Sequence, residues 1–257
     1  MAQTRRTRTP HIRTSHTHAA HPTPAAHRPD DVGKQRWTPV QRVTLAVVCV
    51  ATAMLMLDIA VVNTALPAMA REFDAGMSSL KWVIDGYTLA LATIVLSAGA
   101  WADRIGRRRV FVVGAVVFTI GSAVCAAAGD IVTLNAARVG QGLGAALLFA
   151  SSLALLANAF PGKEKRTKAL AAYGATIGAS FAVGPLLGGV LTDWIDWRAI
   201  FVVNIPLGIA MVYATRWIDE SASSRPRRGD VWGQLNVVLA LGALTYGLVE
   251  ANSRGWA

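Results

Sequence analysis

Seven apolar blocks, each about long enough to cross a bilayer, constrain this chain more than any other feature. They fall at about 43–67, 80–101, 110–128, 132–156, 169–191, 200–217 and 231–249. A run of about 20 such residues matches the hydrocarbon thickness of a membrane. There a segment must satisfy its own backbone hydrogen bonds, which makes each block a transmembrane helix. Gly and Pro within the blocks do not argue against this, because membrane helices tolerate both. A soluble fold fails on composition: 53% of the 257 residues are hydrophobic and 16% are charged. Soluble domains carry about 25% charged residues. Cys49 and Cys125 both lie inside apolar blocks, so no disulfide framework is expected.

The polar stretches divide the chain. Residues 1–42 are rich in Arg, Thr, His, Pro and Ala without an apolar period, which reads as a disordered basic tail. The tail holds all five histidines (His11, His16, His18, His21 and His27), but their irregular spacing is not that of a metal site. Residues 43–217 form a six-helix domain, 218–230 a polar linker, 231–249 a seventh helix and 250–257 a truncated external end. Lys and Arg fix the orientation. Eight lie in the tail and twelve in alternate loops: Arg104, Arg107, Arg108 and Arg109; Lys163, Lys165, Arg166 and Lys168; Arg216, Arg225, Arg227 and Arg228. The other side has only Arg71, Lys81, Arg198 and Arg254, while Arg138 sits within a helix. This asymmetry predicts a multi-pass protein of the cell (inner) membrane with a cytoplasmic N-terminus. It also explains a pI near 10.4 without a nucleic-acid partner, which would need its charge clustered on one soluble module.

Two charges interrupt apolar helices, Asp58 in the first and Arg138 in the fourth. A charge near mid-bilayer costs on the order of 3 kcal/mol even on lenient insertion scales, so it faces a partner or a cavity. Counting from the outer helix ends at about 1.5 Å per residue places Asp58 roughly 13 Å and Arg138 roughly 9 Å deep. Two long side chains at those depths are expected to meet. Two readings stay open: a static ion pair, or a protonatable carboxylate tuned by a cation. The loop from Gly99 through Asp103, Arg104, Gly106, Arg107 and Arg108 has more pattern than positive-inside topology demands. Its spacing predicts a tight turn whose Asp and Arg side chains cross to neighbouring helices as a cytoplasmic latch. The fifth helix carries Gly184-Pro185 and Gly188-Gly189, which predicts close helix approach and a bend.

Together these segments resemble the major facilitator superfamily, specifically its fourteen-helix drug:proton antiporters. The resemblance rests on Leu57, Asp58, Val61, Val62, Asn63, Ala65, Leu66 and Pro67 in helix 1, with Ala60 and Thr64 departing from the pattern. The helix 2–3 loop matches at Gly99, Asp103, Arg104, Gly106, Arg107 and Arg108, with Trp101 where Leu is usual. Helix 4 matches at Leu134, Arg138, Gln141, Gly142 and Gly144. Helix 5 matches at Gly184, Pro185, Gly188 and Gly189, with Ser180 in place of a Gly. The start of helix 6 matches at Trp197-Arg198, Phe201, Asn204, Pro206 and Gly208. The fold so implied is an all-α integral membrane protein: a six-helix major facilitator N-terminal bundle plus a seventh helix, preceded by a disordered tail. The resemblance implies proton coupling at Asp58 and Arg138, a latch at the helix 2–3 loop, and a cavity shaped by the helix 5 glycines. Asn63 and Gln141 become candidates for substrate binding.

The implied activity is proton-coupled export of drugs or other amphipathic organic compounds, with no cofactor and no metal. Its implied partners are membrane lipid, protons, a small amphipathic substrate, and a missing C-terminal half or a second copy. The competing reading is a non-transporting membrane fragment that packs against or regulates another membrane protein. An enzyme is not supported: no His or Cys cluster, nucleophile motif or phosphate loop occurs inside the apolar blocks.

Overall fold

The first helix begins at a polar cap that lies upstream of its apolar block. The computed structural model describes residues 36–222, with 232, 233, 235–237, 239, 240, 242–244 and 247. Helix α1 spans Pro39–Phe73. Its start is fixed by a capping box, in which Gln41 N–H donates to Thr38 Oγ1 (3.2 Å) and Thr38 N–H to Gln41 Oε1 (3.1 Å). Pro39 occupies the first turn, where its missing N–H costs nothing. Residues 39–42, expected in the tail, therefore belong to α1, because polar capping rather than hydropathy starts the helix. Residues 1–35 of the expected tail, 223–230 of the linker and the end at 250–257 lie outside the described residues.

The other spans are α2 (Met77–Ile105), α3 (Arg107–Ala126), α4 (Ile131–Ala159), α5 (Lys163–Trp194) and α6 (Ala199–Trp217). Helix α6 comprises a turn at Ala199–Val202, a body at Asn204–Ala214 and a 3₁₀ end at Thr215–Trp217. Helical residues recur within Leu235–Leu244, in the seventh block. No strand occurs among the described residues. The connections are short, so successive helices run antiparallel, and one end of the bundle carries the Arg104–Arg109 loop; we call it the basic end.

Helix α4 is the hub, with α2 and α3 packed along it and α1 packed along α5. Between helices in lipid the hydrophobic effect supplies little, so close van der Waals approach must hold them. Gly142 and Gly144 provide it. A Cβ on Gly142 would lie 2.9 Å from Ala90 Cβ and 3.0 Å from Tyr87 Cα, both on α2. One on Gly144 would lie 2.9 Å from Phe118 Cα on α3. The apolar core forms two clusters. Val48, Leu55, Phe111, Phe118 and Leu155 belong to that of the basic end; Val61, Met69, Leu134, Trp197 and Phe201 belong to the other.

Candidate functional site

Asp58 and Arg138 lie between those two apolar clusters. On α1 the buried positions Leu55, Asp58, Val62 and Ala65 follow the helical period, and on α4 Leu134, Arg138, Gln141 and Ala145 do the same. The charged side chains are thus carried inward by an otherwise apolar stripe. They meet: Arg138 Nη1 donates to Asp58 Oδ2 at 2.5 Å, and both side chains are 1% exposed. So little water leaves the attraction almost unscreened and makes any unpaired partner costly.

Each group is held further. Arg138 Nε donates to the Val83 carbonyl (2.9 Å) and Nη1 also to Gln141 Oε1 (2.7 Å). The guanidinium carbon sits 4.3 Å from the centre of the Tyr87 ring and 5.8 Å from that of Phe201, a cation–π cradle. Gln141 Nε2 donates to Asp58 Oδ1 (2.9 Å) and to Ser122 Oγ (2.8 Å). Asn204 Nδ2 reaches Asp58 Oδ1 at 3.5 Å. Both carboxylate oxygens therefore face donors. Gln141, expected at a substrate surface, is fully buried against Asp58. Asn63 is exposed and donates within its own helix to the Ile59 carbonyl (2.9 Å).

At the basic end, α2 continues through Asp103 to Ile105, so the tight turn expected across the whole Gly99–Arg109 motif contracts to Gly106 alone. Gly106 has φ 121°, a conformation that favours glycine. Gly99 lies in the body of α2 with open space where a Cβ would be. Asp103 accepts from Arg107 Nη2 at 3.0 Å across the turn. Arg104 is exposed. The distant partner is Glu220, in the segment that follows α6: its Oε1 accepts from Arg108 N–H (3.1 Å), and its Oε2 lies 3.8 Å from Arg109 Nε. The Arg107 N–H donates to the Ser221 carbonyl (2.9 Å). A Cβ on Gly106 would stand 2.6 Å from Glu220 Oε1, so this glycine also makes room for the acid.

The helix 5 residues divide between two faces. Gly184 and Gly188 are buried against α1, where a Cβ on Gly188 would meet Val61 Cγ1 at 3.0 Å and one on Gly184 would collide with Ala60 Cβ. Pro185 is exposed and Gly189 partly so, and α5 is helical through Pro185. The opposite end holds a second polar knot. Glu72 accepts from Arg198 Nη1 (2.9 Å), Arg198 Nη2 (2.6 Å) and Trp197 Nε1 (2.6 Å). The hydrogen bond to Glu72 raises the Arg198 pKa above its ordinary value. Sequence reading missed Ser122, Tyr87, Glu72 and Glu220 as parts of these sites. It named Asn204 and Trp197-Arg198 only for their resemblance.

Comparison with known proteins settles the family. The Major Facilitator Superfamily profile matches residues 48–250. The chain belongs to the Major Facilitator Superfamily. Multidrug resistance protein Stp of Mycobacterium tuberculosis is 40% identical over 217 residues, 84% of this chain and 40% of Stp. Methylenomycin A resistance protein of Bacillus subtilis is 36% identical over 212 residues, 82% of this chain and 46% of the relative. Riboflavin transporter RibZ of Clostridioides difficile is 36% identical over 180 residues, 70% of this chain and 38% of RibZ. The chain therefore spans less than half the length of these relatives. Among solved structures, the peptide transporter POT superposes with a TM-score of 0.63 at 17% identity, covering 80% of this chain and 45% of POT. That likeness concerns the fold.

Proposed function

We propose that this chain is the N-terminal half of a proton-coupled exporter of drugs or other amphipathic organic compounds. It would sit in the inner membrane with its basic end cytoplasmic. The observation that carries the reading is the dry Asp58–Arg138 pair, bridged by Gln141 and placed between two apolar clusters. Relatives whose names describe drug resistance share 36–40% identity with the chain, which supports export.

On this reading Asp58 is the proton carrier and Arg138 and Gln141 hold its charged form. Protonation adds an O–H that needs an acceptor, yet Arg138, Gln141 and Asn204 all present donors to the carboxylate. Proton uptake therefore requires a donor to move away or an amide to turn over, which ties protonation to rearrangement of this cluster. Carriers of this kind work by rocking two halves about a midplane site. The basic-end contacts of Asp103, Arg107, Arg108, Arg109 and Glu220 serve as the latch of one conformation. The Gly184 and Gly188 contacts keep α5 on α1, leaving its other face for the second half.

The test is transport in proteoliposomes by the chain joined to a C-terminal half. Per folded molecule, Asp58→Asn should lose pH-gradient-driven efflux while keeping downhill exchange of the same substrate. Full gradient-driven efflux by Asp58→Asn would remove Asp58 from the coupling step. Residues 1–257 alone should transport nothing; efflux by purified 1–257 would instead favour two copies forming the carrier.

A further inference from the structure

We infer that the Glu72–Arg198 knot positions the buried Asp58 carboxylate, acting along one face of α6 through Trp197, Phe201 and Asn204. The inference rests on the reading of Asp58 as the proton site.

The knot joins three parts of the chain at the end opposite the arginine loop. Glu72 closes α1, Trp197 and Arg198 lead into α6, and Arg198 Nη2 also donates to the Ala128 carbonyl between α3 and α4 (3.1 Å). Trp197 is 3% exposed and its indole N–H donates to Glu72, so its position is fixed from the polar side. Its ring meets Phe73 edge-on at 5.6 Å and Phe201 at 6.2 Å with an interplanar angle of 89°. Phe201 is fully buried and its ring is the second aromatic face over Arg138.

Residues 197, 201 and 204 are four and three apart, the spacing of one helical face. Asn204, the innermost, reaches Asp58 Oδ1. The remaining donors to Asp58, Arg138 and Gln141, are both on α4. Helix α6 is thus the one other described element that donates to the carboxylate, and the knot fixes its outer end. The titratable groups around Asp58 are Arg138 from α4, Tyr87 from α2 and Cys125 from α3. Tyr173 of α5 faces Thr52 and Cys49 instead. None of them lies on α6, so α6 acts on Asp58 by hydrogen bonding and placement.

Loosening the knot lets α6 withdraw Asn204. A hydrogen bond to the charged form favours that form, so its loss moves proton uptake by Asp58 to higher pH. The probe is the protonated-carboxyl C=O stretch in infrared difference spectra of the 257-residue chain in lipid nanodiscs, assigned by its disappearance in Asp58→Asn. Glu72→Gln and the milder Arg198→Lys, which keeps the charge but loses the two-pronged contact, should each raise the midpoint by about half a pH unit or more. Asn204→Leu should do the same directly. Phe201→Leu should remove the effect of Glu72→Gln, so the double variant shifts no further than Phe201→Leu alone.

Size-exclusion elution and melting temperature identify which variants fold, and Arg198→Lys keeps the test alive if Glu72→Gln does not. An unmoved midpoint in folded Arg198→Lys or Glu72→Gln, with Asn204→Leu shifted, would overturn the inference. Additive shifts of Glu72→Gln and Phe201→Leu would overturn it too. A wild-type Asp58 that takes up no proton across the accessible pH range would instead bring down the proton-site reading itself.

Discussion

Replacing Asp58 by Asn changes one atom and sets a definite problem for the buried cluster. The amide offers one acceptor and one donor where the carboxylate offered two acceptors. If its oxygen stays on Arg138 Nη1, its NH₂ faces Gln141 Nε2 and Asn204 Nδ2, donor against donor. Flipping Gln141 repairs that contact but turns its NH₂ toward Arg138, which had used Gln141 Oε1 at 2.7 Å. Every orientation leaves one buried donor unsatisfied, at about 1–3 kcal/mol. Arg138 also keeps its charge without a counter-ion. Breaking a buried pair costs about 3–5 kcal/mol, and the retained Val83 carbonyl at 2.9 Å and Tyr87 ring at 4.3 Å place this case near the lower end. We expect Asp58→Asn to destabilise the chain by about 3 kcal/mol, read by unfolding of the purified chain in detergent alongside its folded yield in membranes. Adding Arg138→Gln removes the orphaned charge and should recover about half of the loss or more. A single mutant within about 0.5 kcal/mol of wild type would mean that the pair is neither dry nor closed, and the argument from its burial would fail.

Further predictions follow from other contacts. Gly142→Leu should abolish folded protein, since even a Cβ meets the α2 backbone, whereas Gly189→Ala, with open space around it, should leave yield and melting unchanged in the same gels and scans. In a complete carrier, Asp103→Asn and Glu220→Gln should each abolish or strongly slow efflux from vesicles at normal expression; unchanged efflux would reject the latch. Reporter fusions after Ser224 and Ala257 should give cytoplasmic and external signals respectively, and the reverse pattern would refute the orientation drawn from the arginines. Asp130 caps α4 by accepting from the Thr133 N–H, the Thr133 hydroxyl and the Val132 N–H, and these bonds hold its carboxyl below the usual carboxylate range. Its contribution is therefore complete above that range and lost as pH falls through the lowered value, so Asp130→Asn should flatten the acid limb of a melting-temperature profile.

The parts of this fold legible in the sequence are those that composition makes unusual. A lone Asp and a lone Arg stand out in apolar helices, and counting residues from the helix ends was enough to set them at one level. The glycines of α4 were legible as motif members, although the reason for them lies in tertiary contact with the Tyr87 and Phe118 backbone. Ser122 was not legible because a single hydroxyl in an apolar helix satisfies itself as readily as it serves a neighbour. Glu220 was hidden for a different reason: it lies among Ser and Arg in a stretch that reads as linker, and its hydrogen-bond partner Arg108 is 112 residues away. Glu72 was lost among helix-end charges. Helix ends were misread wherever a polar cap, such as Thr38 with Gln41, extends a helix beyond its apolar run.

On the proposed reading of Asp58 as the proton site, the packing also bears on which part of the cluster would yield. Helix α4 is held by close glycine approaches to α2 at Gly142 and to α3 at Gly144, and small-residue contacts of this kind do not stretch gradually. Arg138 and Gln141 are carried by that same helix, so moving them as donors means breaking the hub of the bundle. Helix α6 touches Asp58 through one long hydrogen bond, 3.5 Å from Asn204. The weaker tie is therefore on α6. Its two ends are held by polar contacts open to water, with Arg198 at one and Glu220 just beyond the other. The exposed Glu220–Arg109 pair is worth about 1 kcal/mol or less, whereas the two-pronged Glu72–Arg198 contact with its Trp197 hydrogen bond is the firmer of the two. An element that reaches Asp58 by one long hydrogen bond and is otherwise held by polar contacts at the surface is the one that can move without dismantling the core. A protonation event at Asp58 would then be felt first at the two surfaces that α6 connects.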